Sequence, residues 1–281
     1  MHAFATGRLG RRSALGALAA LALPGFAQRS PDHRITVGIE ADLQASGLAA
    51  RLRAAVARDT GLAIDWRAGP GGLLLPQLER GELDAALTQA PELELALEKQ
   101  NLVHDRRPVA LTDFVLVGPA PQKTSKKAAA GGDPAGIAGG RDAATALARI
   151  VAAGERGEAG FVTAGEPSGA RALEQTIWKA AGPQPVGPWL RTAGAGPTAV
   201  LALARETRSY AFVEHGLWAA LGAGSGLVVL VEGDPRLQVS YHVMRSFRVN
   251  HPGGKLLVNW LAGPNGRRVV AGFGRGYRPP A

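Results

Sequence analysis

The chain contains no cysteine, which excludes structural disulfides, thiolate metal sites and cysteine nucleophiles. Aromatic residues make up only 5% of it, and they do not interleave with the lysines and arginines, which are scattered. A nucleic-acid surface made of stacking rings and a basic stripe is therefore unsupported. The sequence has no G-x-S-x-G elbow, no H-E-x-x-H and no paired-histidine metal spacing, and its six histidines are dispersed. Catalysis has no motif to rest on, and we read the chain as a non-enzyme. No short period of the solenoid type recurs either.

A long membrane-spanning run is missing at the N-terminus. Residues 14–24 are apolar, but eleven residues cannot cross a hydrocarbon layer of about 30 Å as a helix. Preceded by Arg8, Arg11 and Arg12 and followed by Gly25-Phe26-Ala27, the run reads as an export signal over residues 1–27 that is removed. Arg11-Arg12-Ser13 leaves twin-arginine export and the general route both open. The formal net charge of +9 falls to +6 without those three arginines, since residues 1–27 hold no acid. That balance suits a basic surface facing anionic lipid or an acidic partner.

What is present is a recurring junction. Residues 160–164 are a short apolar run that Gly165 and Pro167 interrupt. Ser168 then suits an N-cap, and Leu173, Ile177 and Trp178 follow at helical spacing. The same strand-loop-helix order is read at three other places. Strand 34–39 leads through a loop 40–45 to a helix opened by Ser46-Gly47. Strand 63–68 leads to Gly69-Pro70-Gly71-Gly72, and the turn 194–198 leads to a helix 199–205. A helix that starts just beyond a parallel strand points unpaired backbone N–H groups and its positive dipole end into the crevice at the sheet edge, a place for an anion.

Further strands are expected at 83–88, 109–119, 210–213, 227–233 and 240–249, and helices at 91–100, 142–151, 214–221, 252–262 and 264–273. The polar stretch 122–127 reads as a surface loop. Strands alternating with helices imply open α/β sheets, and 281 residues suffice for two lobes. The expected fold is α/β and two-lobed, with open, mostly parallel sheets and a hinge of two crossover segments. Lobe I spans 34–117 with 237–281, and lobe II spans 118–236.

The string Arg107-Pro108-Val109, Thr112 to Pro119 and Asp133 to Ile137 resembles the tungstate-type solute-binding proteins of ABC transporters, which have the type II periplasmic-binding fold. Phe161 through Gly169, the turn at Gly194 to Thr198, Val231 to Pro235 and Asn259 to Gly266 continue the resemblance across the mature chain. It implies a periplasmic, monomeric protein without a cofactor that captures a small oxyanion such as tungstate between its lobes and delivers it to an ABC permease. A sensor or accessory protein that does not bind tungstate is the alternative.

The resemblance puts the ligand at the four junctions: Asp42, Leu43 and Ser46; Gly71 and Gly72; Thr163, Ala164, Ser168, Gly169, Ala170 and Arg171; Gly194, Gly196 and Thr198. Two family side chains are replaced, an arginine by Ala164 and a threonine by Ala170. The family's first hydroxyl run is replaced by Glu40-Ala41-Asp42-Leu43, whose acids would repel an anion if they face the cleft. Arg171 or Arg191 could supply a substitute cation.

Overall fold

The computed structural model describes residues 34–121, 132–182 and 184–281. The export signal expected at 1–27 and the polar stretch 122–127 lie outside them.

Strands β1 (Arg34–Glu40), β2 (Ala63–Gly69) and β3 (Ala85–Thr88) pair in parallel with β1 in the middle. Helices make the crossovers that parallel neighbours require. These are α1 (Ala41–Ser46) and α2 (Leu48–Thr60), then α3 (Gly71–Arg80), with α4 (Pro91–Lys99) leading on to β4 (Val103–Pro119). Next come α5 (Ala143–Glu155), β5 (Phe161–Thr163), α6 (Gly169–Ala181), β6 (Leu190–Thr192), α7 (Pro197–Thr207), β7 (Tyr210–Glu214), α8 (His215–Leu221) and β8 (Leu227–Val231). The chain closes with β9 (Gln238–Ser246), α9 (Pro252–Ala262) and α10 (Pro264–Phe273).

The strand order is β2-β1-β3-β9-β4-β7-β5-β6, with β8 also on β4. The outer pairs of each half are parallel, and the pairs that β4 and β9 make are antiparallel. Strand β4 joins the halves: its residues 103–113 face β9, and its residues 114–119 face β7 and β8. The chain returns to the first half between β8 and β9.

Each half has apolar packing on both faces of its sheet. In the first half Ile35, Val37, Leu52, Tyr241 and Leu257 lie on one face, and Leu74, Leu75, Leu78 and Met244 on the other. In the second half Phe114, Phe161, Trp178 and Tyr210 cluster on one face and Val115, Val162, Leu201 and Val213 on the other. Sequence neighbours such as Phe161 and Val162 fall on opposite faces because strand side chains alternate. Each half thus has apolar clusters of its own, with Leu237 and Val239 joining that of the second half. Among the described residues no helix is long and apolar enough to cross a membrane.

The first junction departs from expectation. Residues 41–46 form a helix, and Gly47, at φ +91°, ends α1 and immediately precedes α2. Ser46-Gly47 thus closes one helix at the left-handed position that glycine tolerates. Consequently Glu40, the last residue of β1, stands just before a helix, and Asp42 lies in that helix's first turn.

Candidate functional site

The carboxyl ends of β1, β5 and β7 and the helices that follow them enclose a cavity of about 30 Å³ between the two halves. Five acidic residues line it: Glu40, Asp42, Glu166, Glu174 and Glu214. Phe114 and Phe212 contribute rings, and no lysine, arginine or histidine is among the lining residues.

Several backbone amides at these helix starts are paired with the chain's own oxygens. At α3, Gly71 N–H donates to Glu40 Oε1 (3.0 Å), and between β3 and α4 Gln89 N–H donates to Glu40 Oε2 (3.1 Å). Gly72 N–H donates across to the Pro167 carbonyl (3.0 Å). At α7, Gly196 N–H donates to Glu166 Oε1 (2.6 Å). At α8, Gly216 and Leu217 donate to the two oxygens of Glu214, each at 3.0 Å. At α6, Arg171 N–H donates to Ser168 Oγ (3.2 Å), the cap expected from the sequence. A helix start favours an oxygen acceptor with negative character, and here glutamate side chains supply the acceptor oxygens.

The remaining polar groups form two clusters. Glu174 Oε1 accepts from Thr163 Oγ1 (2.7 Å), Trp178 Nε1 (3.1 Å) and Arg171 Nη1 (2.6 Å), and Arg171 also reaches Thr163 Oγ1. Glu214 accepts from Thr112 Oγ1 (2.5 Å) and from the Tyr277 hydroxyl (2.8 Å), which also lies 2.8 Å from Ser46 Oγ. Tyr277 thus ties the C-terminal segment to both halves at the base of the cavity. Tyr277→Phe is expected to cost about 1–2 kcal/mol, because it leaves buried Glu214 and Ser46 short of a partner. The urea denaturation midpoint checks it.

Asp42 differs from the other acids. Its side chain is buried, lines the cavity and accepts only from its own backbone N–H. Burial, with the repulsion of Glu214, pushes its carboxyl up to about 7. Burial and the neighbouring Asp42 push Glu40 up to about 8, outweighing its two amide bonds. Burial also raises Glu174 and Glu214. Desolvation of this kind penalises the charged form.

With that geometry established, comparisons assign the chain to a family. A sequence model of bacterial extracellular solute-binding proteins matches residues 41–275. The chain belongs to that family. The tungstate-binding protein TupA of Peptoclostridium acidaminophilum is 27% identical over 237 residues, which is 82% of this chain and 78% of that one. The crystal structure of the tungstate ABC transporter from Geobacter sulfurreducens superposes with a TM-score of 0.73 at 30% identity, covering 85% of this chain and 98% of that one. A Haloferax volcanii relative is 28% identical over 212 residues, and this chain spans 58% of that protein's length. The two-lobed α/β architecture of solute-binding proteins is thus shown by fold and by sequence.

In this solute-binding protein the fourteen positions singled out from the sequence are distributed unevenly. Asp42, Ala164, Ser168, Ala170 and Gly196 line the cavity. Gly71 lies behind it, against Glu40. Gly72, Gly169 and Arg171 line an adjoining groove between α4 and α6, which Ser168 also borders. Thr163 and Ser46 are buried in the two polar clusters, Leu43 is in the apolar core, and Gly194 and Thr198 are exposed. Arg171 is engaged by Glu174, and Arg191 lines a separate hollow beside Trp189 in the second half. Neither lines the central cavity. Sequence reasoning missed Glu166, Glu174, Glu214, Phe114 and Phe212. The available signal was position: Glu214 ends a strand directly before a helix, as Glu40 does.

Proposed function

We propose that this chain is the solute-binding component of an ABC importer, exported to the periplasm and working as a monomer. Lobes 34–117 with 237–281 and 118–236 close on a small solute held at the strand-helix junctions. The observation that carries this reading is the enclosed cavity between the two halves, reached from both by helix starts and bordered by the segments that connect them. Lobes joined by two connections suit closure around a ligand. Relatives of this chain are named for tungstate, so that oxyanion belongs in any first panel of solutes, although the groups lining the cleft here are acidic.

The mature protein, stripped by partial unfolding and refolded, is expected to bind one solute at 1:1 and to become more compact in X-ray scattering. It should also stimulate the ATPase of its cognate permease only when loaded. A protein that binds no solute from an anionic, neutral and cationic panel, and leaves the permease unstimulated, is not such a component.

A further inference from the structure

We propose that the groove between α4 and α6 is a second ligand site, separate from the central cavity, and that it takes a small organic carboxylate with an apolar body. The groove encloses about 500 Å³, inside the range of roughly 300 to 1,000 Å³ common for sites of small organic molecules. Of its lining residues only Ser168 also lines the cavity. An inorganic oxyanion would fill a small part of that space and leave its apolar walls in water.

The polar end is marked by Gln89, which is only 5% exposed and lines the groove. Its backbone N–H donates to Glu40, but among the described residues its carboxamide makes no hydrogen bond. The sealed side-chain atoms without a partner are Trp189 Nε1 and the Tyr241 hydroxyl, so the Gln89 carboxamide is not sealed and opens on the groove it lines. A buried amide without a partner is costly, and a ligand in the groove supplies one. Beside it α6 begins. Gly169 lines the groove, its N–H has no acceptor among the described residues, and a Cβ on it would lie 2.3 Å from Gln89 Oε1. A helix start favours an anion. Arg171 adds a cation to the same lining: its Nη1 is held by Glu174 and Thr163, whereas Nε and Nη2 make no bond among the described residues. Because Arg171 is shared with Glu174, and Glu92 adds a negative charge to the lining, the site suits one negative charge rather than two.

The apolar body is read from the remaining walls. Leu93 on α4, 49% exposed, and Leu173 on α6 come from opposite halves, and Pro91, Pro167 and Val239 lie along the groove with them. Since α4 and α6 belong to different halves, a molecule between them bridges the halves and favours the form in which they meet.

Calorimetry on the mature protein tests this with sodium butyrate, hexanoate and octanoate beside hexylamine hydrochloride and hexanol, each with and without excess sodium tungstate. Hexanoate is expected to bind at 1:1 whether or not tungstate is present, with affinity rising about three- to fourfold per methylene along the series. The amine and the alcohol are expected to bind at least about tenfold more weakly. Gln89→Leu removes a carboxamide that the fold does not bond, and is expected to weaken all three carboxylates about tenfold. Leu93→Asn, at an exposed position, is expected to reduce the gain per methylene. If Gln89→Leu does not fold, the methylene series and Leu93→Asn still decide.

Displacement of hexanoate by tungstate puts both in one seat and overturns the second site. Hexanoate and hexylamine binding alike, affinities unchanged in both variants, or no binding of any carboxylate overturns it as well. None of these results touches the importer reading, which is tested by solute capture and stimulation of the permease.

Discussion

Gly169→Ala is expected to keep the two halves apart and to weaken solute binding by about five- to a hundredfold. A Cβ at this position would lie 1.5 Å from the carbonyl oxygen of Gln89, a backbone atom of the opposite half that cannot rotate away. The same closure brings Gly72 against the Pro167 carbonyl, where a Cβ would sit at 2.2 Å. Overpacking of a rigid contact costs about 1–3 kcal/mol, and a ligand that requires the closed form loses affinity in proportion to that form's population. The fold itself should persist, since each half packs its own core. The expected result is a larger radius of gyration in X-ray scattering, unchanged circular dichroism and a loss of solute affinity. Gly72→Ala should behave alike, whereas Gly272→Ala, with no atom within 4 Å of its added Cβ, should change neither quantity. Scattering and affinity indistinguishable from wild type in both cleft variants would mean that the loop 166–169 does not govern closure.

These contacts show what could be read in advance and what could not. The strand-loop-helix order at β1, β2 and β5 was legible because each strand is a short β-branched or apolar run and each helix keeps its 3.6-residue spacing. Ser168 was legible as a cap because its hydroxyl acts on a neighbour three residues away. Strand β6 was not expected: Leu190–Thr192 is three residues long and mostly exposed, and its register comes from β5 rather than from any pattern of its own. The long strand β4 begins six residues before the expected start, because Val103 and His104 are held by β9 across the sheet.

The site was harder to read for the same reason. Glu40 and Gln89 are 49 positions apart, and Gly196 meets Glu166 across 30 positions. Nothing local marks a glutamate as the partner of a distant helix start. The acids were foreseen as repelling an anion, but their bonds to the amides depend on the tertiary fold. Short-range chemistry therefore identified the junctions, and long-range pairing decides what occupies them.

Those same acids give the stability of the protein a defined pH dependence. Glu40, ordinarily near 4.5, is held up to about 8, and Asp42, ordinarily near 3.8, up to about 7. The folded protein therefore keeps protons that the unfolded chain has released above pH 4 to 5. The stabilisation is complete below the ordinary values and is lost as pH rises through the raised ones. The slope reaches about 1.4 kcal/mol per pH unit for each group within its window. The facing charges do not reverse this sign. Glu166, Glu174 and Glu214 add negative charge from their own elements, Arg171 is engaged with Glu174, and Arg106 and His242 with Glu94. Asp234, lowered to about 2 by burial-opposed bonding to Arg236, loses its contribution only at much lower pH. The wild-type melting temperature is therefore expected to fall between pH 5 and 8. Repulsion among the excess basic groups acts in the other direction, since it grows towards acid. Asp42→Asn and Glu40→Gln separate the two effects: each should flatten the fall, and Asp42→Asn should be the more stable protein at pH 8 by a few kcal/mol. Parallel melting curves for wild type and both variants across that range would show that the two carboxyls are ionised in the folded state.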